Sequence, residues 1–206
     1  MNKIAVIGGS YLQLPVVKKA KEMGLEVFCF SWEEDAVCKD YVDCFYPISI
    51  IEKENILEVC KGLDLDAIVS IASDTAVVTV NYVAENLGLI SNPDAYSSTT
   101  TNKFLMRECF LEAGVSSPRY YRMNSLDLKN GKFPEFNYPL IVKPTDRSGS
   151  RGVQKVNKLD DLKPAIESAC KEAFSGEAII EEFIDGLEVS VETISWKGTH
   201  HLLQIT

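Results

Sequence analysis

The chain has 206 residues, a formal net charge of −9 and a pI near 4.8. With 46% hydrophobic and 25% charged residues, it has the composition of a soluble globular protein with room for one large domain or two small ones. The negative charge argues against general binding to nucleic acid or to anionic membranes. No apolar run approaches the roughly 20 residues that span a bilayer, and the N-terminus leads directly into a strand rather than a signal peptide.

The first third of the chain alternates short apolar runs with amphipathic segments. The strand-like runs are 3–8, 26–31 and 66–72, and the helical segments are 15–23, 52–63 and 74–88. Strands separated by helices of this length predict a parallel sheet built from right-handed βαβ units. We therefore predict a small, doubly wound α/β domain.

Two cofactor classes find little support in the residues. The turn Gly8-Gly9-Ser10 follows the first strand but lacks the G-x-G-x-x-G pattern of a Rossmann site, and the acids at 33–35 are common in surface loops. The six cysteines form no C-x-x-C pair and do not cluster with the histidines at 200–201, so neither a zinc site nor a disulfide framework is indicated. We expect reduced, structural thiols of a cytoplasmic protein.

The pattern changes near residues 91–103, which are rich in Ser, Thr and Asn and predict a junction between two units. Beyond it we predict two helices and several strands. The helices are 102–114 and 159–174, and the strand-like runs are 117–123, 138–143, 153–156, 178–184, 188–195 and 201–206.

The stretch 143-KPTDRSGSRGV-153 is a basic, glycine-rich loop between two predicted strands. It is not a Walker loop, because G-x-x-x-x-G-K-[ST] is absent and no helix begins at its end. Its small residues let backbone N–H groups approach an anion, and Arg147 or Arg151 can add charge-assisted bonds. By itself the loop leaves two interpretations open, a phosphate site and a solvated hairpin tip.

Four features in order suggest a family: Asn102-Lys103 at a helix start, 139-PLIVKP-144, 148-SGSRGV-153 and 181-EEFIDGLEVSVE-192. Together they resemble the ATP-grasp superfamily, which includes carbamoyl-phosphate synthetase, biotin carboxylase, D-alanine–D-alanine ligase and many carboxylate–amine ligases. The resemblance covers essentially the whole chain.

The resemblance implies an α/β fold of two parts. Residues 1–94 would form the pre-ATP-grasp doubly wound parallel sheet, and residues 95–206 an incomplete ATP-grasp domain. The second part would contain a linker helix at 102–114, a lid subdomain at about 117–184 and the start of a catalytic subdomain at 185–206.

The resemblance also implies a nucleotide site. Lys103 and Lys143 correspond to lysines that reach the phosphates of ATP, and the loop of Ser148, Gly149, Ser150, Arg151, Gly152 and Val153 would close over the triphosphate. The adenine site would be the segment Glu181, Glu182, Phe183 and Ile184, where Glu181 accepts from the amino group and the backbone of Glu182 and Ile184 pairs with the ring edge. Glu188 would bind the ribose hydroxyls.

The implied function is the ATP-binding portion of a ligase that activates a small carboxylate as an acyl phosphate for attack by an amine. Mg²⁺ is expected for a longer parent protein, because residues 189–206 offer no plausible pair of ligands. We therefore interpret the 206 residues as an N-terminal portion without activity of its own. Its catalytic residues are not identified, and the segment 70-SIASDT-75 is expected to contribute one edge of the substrate pocket.

Three points stay open at this stage. One alternative is a carboxyphosphate-forming enzyme of the biotin-carboxylase or carbamoyl-phosphate type. A second is a non-catalytic nucleotide-binding module. A homodimer is also left open as the assembly.

Overall fold

The computed structural model describes residues 2–130, 135 and 137–206. The strands are β1 Lys3–Ile7, β2 Glu26–Phe30, β3 Cys44–Tyr46, β4 Ala67–Val69, β5 Tyr120–Asn124, β6 Leu140–Pro144, β7 Gln154–Val156, β8 Glu177–Glu182, β9 Val191–Trp196 and β10 Thr199–Ile205. The helices are α1 Leu14–Glu22, α2 Lys53–Cys60, α3 Asp74–Asn86, α4 Ser97–Thr101, α5 Lys103–Glu112, α6 Ser125–Lys129 and α7 Leu159–Glu172. Short 3-10 helices cover Val37–Tyr41 and Asp94–Tyr96.

The N-terminal sheet has the strand order β3-β2-β1-β4, and all its neighbours are parallel. Alternate residues of β1 face opposite sides of this sheet. Val6 packs with Val17 of α1 on one side, while Ile7 packs with Ile56 of α2 on the other. Both faces are therefore covered by helices, and the predicted doubly wound sheet is confirmed. The sequence analysis did not predict β3, a three-residue edge strand too short to show an alternating pattern.

The second sheet has the order β5-β8-β6-β7, and its neighbours are antiparallel. In β6, Leu140, Val142 and Pro144 are buried, and the first two belong to the apolar cluster that α7 completes. Because side chains alternate along a strand, Ile141 and Lys143 lie on the opposite face. The predicted hairpin is confirmed, since Leu140 pairs with Val156 across the basic loop.

The predicted junction at 91–103 forms ordered helical turns. Thr99 and Thr100 donate their hydroxyls to the backbone carbonyls three residues earlier, at 2.7 and 2.8 Å. The amide of Asn81 in α3 donates to the hydroxyl of Ser97 at 3.0 Å, and both residues are buried. The Ser/Thr-rich composition therefore reflects local back-bonding. The division into units at 94/95 stays a prediction.

Strands β9 and β10 pair with each other as a separate antiparallel hairpin. Their side chains are exposed, including apolar ones on both faces such as Trp196 and Leu202. The β-rich runs predicted after residue 188 therefore form one two-stranded unit. None of the helices in the described residues is both long and apolar enough to cross a membrane.

Replacing Ile166 of α7 with alanine tests the second core. Ile166 is fully buried in the cluster between α7 and the second sheet. We expect Ile166→Ala to lower the free energy of unfolding by about 2–5 kcal/mol in urea denaturation, because it leaves a cavity. The control is Leu159→Ala on the same helix, where the side chain is 62% exposed; its effect should stay within about 0.5 kcal/mol. Equal losses for the two variants would contradict this packing.

Candidate functional site

A cleft of about 910 Å³ opens where the start of α5 meets the end of β6 and the loop that follows it. Five basic residues line it: Lys103, Arg107, Lys143, Arg147 and Arg151. Two acids, Asp74 and Asp146, also line it. In a chain with a net charge of −9, this local excess of positive charge favours a polyanionic ligand.

Lys103 is placed by the cap of α5. The side-chain oxygen of Asn102 accepts from the backbone N–H groups of Phe104 and Leu105, at 3.0 and 3.2 Å, so the helix begins at Lys103. The Lys103 N–H donates to the carbonyl of Thr145 at 2.7 Å, and its ammonium donates to the carbonyl of Arg147 at 2.5 Å. Burial, and secondarily the charge of Lys143, lower the pKa of Lys103.

Lys143 and Glu181 meet on the sheet face opposite α7. Antiparallel pairing sets Ile141 beside Glu181 and Lys143 beside Ile179, so both charged side chains share this face. Glu181 is only 3% exposed. One of its oxygens, Oε2, pairs with the Lys143 ammonium, and the other, Oε1, accepts from Nε of Arg107 at 2.7 Å. The buried carboxylate therefore holds two cations of the cleft.

The loop after β6 carries three residues in the left-handed backbone region. The φ angles are +67° at Gly149, +57° at Ser150 and +70° at Gly152. At Gly152 a Cβ atom would lie 3.0 Å from Cγ of Pro144, so a side chain there would force the loop to shift. A positive φ at serine costs energy and is typical of ligand clamps. Val153, where the loop ends, is 41% exposed.

The two loop arginines have different surroundings. Nε of Arg147 donates to the carbonyl of Glu172 at 2.7 Å, and its guanidinium lies 4.0 Å from the ring centre of Phe174. Arg147 therefore braces the loop against the end of α7. Ser148 and Arg151 also line the cleft, which leaves Arg151 as the better candidate for a phosphate contact.

The predicted adenine segment continues from β8. The N–H of Glu182 donates to the carbonyl of Arg119 at 3.0 Å, and its carboxylate accepts from the Arg119 N–H at 3.1 Å. The N–H of Phe183 donates to the carbonyl of Pro139 at 3.1 Å. Two N–H groups of this segment are therefore engaged within the chain. The side chain of Ile184 is 65% exposed.

The structure treats two other predicted positions differently. Glu188 is exposed in the segment between β8 and β9. It is not among the residues that line the cleft, and neither are the predicted positions Ser150, Gly152, Val153, Glu181, Glu182, Phe183 and Ile184. From the segment 70–75, Asp74 and Thr75 at the start of α3 do line the cleft. The structure thus brings this edge of the first sheet to the lysines, and it does not bring Glu188 there.

Arg107 is a basic residue of the cleft that the sequence analysis missed. It follows Lys103 by four residues on α5, a spacing that puts both side chains on one face of a helix. That spacing was the available signal. An arginine on an amphipathic helix is ordinarily solvated, whereas the side chain of Arg107 is only 18% exposed.

The described residues contain no cluster of metal-ligating side chains. Among them, no group of three or more His, Cys, Asp or Glu side chains could hold a metal ion. Of the two aspartates in the cleft, Asp146 already accepts from the N–H groups of Phe174 and Ser175, at 2.9 and 2.7 Å. Its carboxylate therefore connects the loop to the turn before β8.

The lowered pKa of Lys103 predicts early deprotonation. As pH rises, Lys103 should lose its proton below the ordinary value of 10.5, because burial disfavours the charged form. We expect its pH profile of amine acylation, followed by mass spectrometry, to have its midpoint below 10.5. Lys163, with 60% side-chain exposure, serves as the internal reference for reagent reactivity. A Lys103 midpoint at or above 10.5 would contradict the buried setting.

Comparison with known proteins is consistent with this geometry. Residues 136–206 match the family model of the ATP-grasp domain. The chain is 31% identical over 214 residues to a D-alanine–D-alanine ligase of Flavobacterium johnsoniae, covering 99% of this chain and 63% of the relative. It is 25% identical over 188 residues to a formate-dependent phosphoribosylglycinamide formyltransferase of Prochlorococcus marinus, covering 89% of this chain and 48% of the relative.

Solved structures share the fold. An L-amino acid ligase from Bacillus licheniformis matches with a TM-score of 0.79 at 23% identity, covering 100% of this chain and 50% of that one. An ADP complex of N5-carboxyaminoimidazole ribonucleotide synthetase matches with a TM-score of 0.81 at 20% identity, covering 99% and 53%. The chain thus spans about half the length of most of these relatives. In sequence and fold the chain is therefore similar to these enzymes over most of its length, and its residues 136–206 belong to the ATP-grasp domain family.

Proposed function

We propose that this chain is the nucleotide-binding part of an ATP-dependent ligase, which activates a carboxylate as an acyl phosphate for attack by an amine. The observation that carries the proposal is the convergence of Lys103, Lys143 and the loop residues Ser148, Gly149 and Arg151 on one basic cleft. Its volume of about 910 Å³ lies in the range of small-molecule sites. The relatives named as a D-alanine–D-alanine ligase and an L-amino acid ligase support the same reaction class.

The phosphates of ATP would lie between the two lysines and the loop. An ammonium is a compact charge suited to phosphate oxygens, and both lysines line the cleft. The loop would add backbone N–H donors, and Arg151 a guanidinium. When closed, the loop would exclude water from the transferred phosphoryl group. These are positioning and electrostatic contributions, which dominate phosphoryl transfer.

Adenine would lie against β8 and the segment that follows it. Both oxygens of Glu181 hold cations, so accepting from the adenine amino group would use a remaining lone pair of the carboxylate. Since the N–H of Glu182 is engaged with Arg119, the Glu182 carbonyl and the Ile184 backbone are the groups left for the ring edge. The ribose contact proposed for Glu188 requires a movement of the segment 183–190 toward the cleft.

The carboxylate substrate would bind at the side of the cleft that lies next to the first sheet. Asp74 and Thr75 line the same cleft as the lysines, at the carboxyl end of β4, where ligands of open α/β sheets tend to bind. Mg²⁺ stays an expectation for a longer parent protein, because the described residues hold no group of three or more metal-ligating side chains. The expectation of a homodimer stays a prediction.

Calorimetry with ATP tests the phosphate site. We expect the chain to bind ATP weakly, with little dependence on added Mg²⁺, and Lys143→Ala to lower the affinity about ten- to a hundredfold because one charged contact is lost. Lys19→Ala is the control, since Lys19 has 68% side-chain exposure and pairs with Glu22 on α1. ATP affinity that is the same in Lys143→Ala and in the unmodified chain would refute the proposed phosphate site.

Competition between nucleotides tests the adenine site. Because Glu181 and the following backbone would read the adenine edge, GTP should displace a labelled ATP analogue less effectively than ATP does. Inorganic tripolyphosphate, which has no base, measures the share of binding that comes from the phosphates. Equal displacement by GTP and ATP would show that the base is not recognised and would remove the adenine assignment.

A further inference from the structure

We propose that Arg107 is a positioning residue that neutralises Glu181 and so leaves the charge of Lys143 available to an anionic ligand. The inference rests on the proposed phosphate site. It adds a residue that neither the family resemblance nor the predicted site contained.

The geometry places one carboxylate between two cations. The side chain of Glu181 is 4% exposed, and those of Arg107 and Lys143 are each 18% exposed. Each oxygen of Glu181 contacts a different cation, Oε1 the guanidinium and Oε2 the ammonium. The group therefore carries a net charge of +1 at the wall of the cleft.

Electrostatics gives the two cations different roles. A buried carboxylate is costly unless it is paired, and removing one of two partners strengthens its hold on the other. A guanidinium stays protonated and rigid, whereas the lysine ammonium moves on a flexible stem. With Arg107 present, Glu181 remains neutralised when Lys143 turns to a phosphate. Without Arg107, Lys143 becomes the only counter-ion described for Glu181. The remaining pair of Lys143 and Glu181 then has no net charge with which to attract an anion.

Helix α5 positions both Lys103 and Arg107. The Asn102 cap fixes where the helix begins, and Lys103 donates to the Arg147 carbonyl at the loop. Arg107 lies one turn further along, and its guanidinium is 5.8 Å from the ring centre of Phe110. One helix therefore supplies a cation directly to the cleft and controls a second cation through Glu181.

A double-mutant cycle separates positioning from direct contact, because Arg107 itself lines the cleft. The probe is inorganic tripolyphosphate, which has no base or ribose for Glu181 to read. Its affinity is measured by calorimetry for the 206-residue chain and for Arg107→Met, Glu181→Gln and the double variant.

We expect Arg107→Met alone to weaken tripolyphosphate binding roughly tenfold or more. Lys143 is then held by Glu181, and the ligand loses one charged contact. In the Glu181→Gln background the same change should alter affinity less than about threefold, because Lys143 no longer has a carboxylate to neutralise. The conservative Arg107→Lys should retain most of the affinity. If Arg107→Met costs the same factor in both backgrounds, or nothing in either, the positioning role is wrong.

Arg122→Met is the matched control. Arg122 lies on the same sheet face and pairs with Glu177 at 3.5 Å, but it lies outside the basic cleft. Its removal should leave tripolyphosphate affinity unchanged. Thermal unfolding of each variant checks that it is folded. If Arg107→Met does not fold, Arg107→Gln takes its place in the cycle, with the same expected loss of tripolyphosphate affinity.

The cycle also separates this inference from the proposed function. No binding of tripolyphosphate by the unmodified chain would overturn the phosphate site together with the role of Arg107. Binding by the unmodified chain with equal losses in the two backgrounds would overturn the role of Arg107 alone. Recovery of affinity in the double variant relative to Arg107→Met supports both.

Discussion

The ion-paired carboxylate of Glu181 is the contact on which the arrangement of the cleft depends. It lies in β8, the strand between β5 and β6, and it joins Arg107 of α5 to Lys143 of β6. A carboxylate buried to this degree is tolerated only with its charge compensated. The pairing therefore fixes helix and strand relative to each other at the place where a ligand would enter.

Backbone contacts extend this constraint to the loop. The backbone N–H of Lys103, the first residue of α5, donates to the carbonyl of Thr145 directly after β6. The Lys103 ammonium donates to the carbonyl of Arg147. Asp146 accepts from two N–H groups of the segment that joins α7 to β8, and Arg147 donates to the carbonyl of the last residue of α7. The base of the loop is held on both sides, while its tip keeps a left-handed backbone that suits anion binding.

Charge is distributed unevenly over the molecule. An acidic chain concentrates five basic side chains at one cleft, whose lining also includes Asp74 of α3 and Asp146. Such a site attracts a polyanion locally, without making the whole surface basic as a surface that binds nucleic acid would be. The β9-β10 hairpin lies outside this cleft and has exposed apolar side chains on both faces.

The sequence by itself determined the parallel sheet and the hairpin around the basic loop, because these depend on local periodicity and turn residues. The family resemblance singled out the two lysines, which the structure places in the cleft lining. The sequence did not predict β3 or α6, whose three and five residues are too few to establish a period. Only the tertiary structure decided that Arg107 reaches Glu181, 74 residues away in the chain, and that Arg147 braces the loop. These contacts depend on how the helices pack against the sheet. The local sequence pattern does not indicate which distant charged residue will lie beside a buried carboxylate.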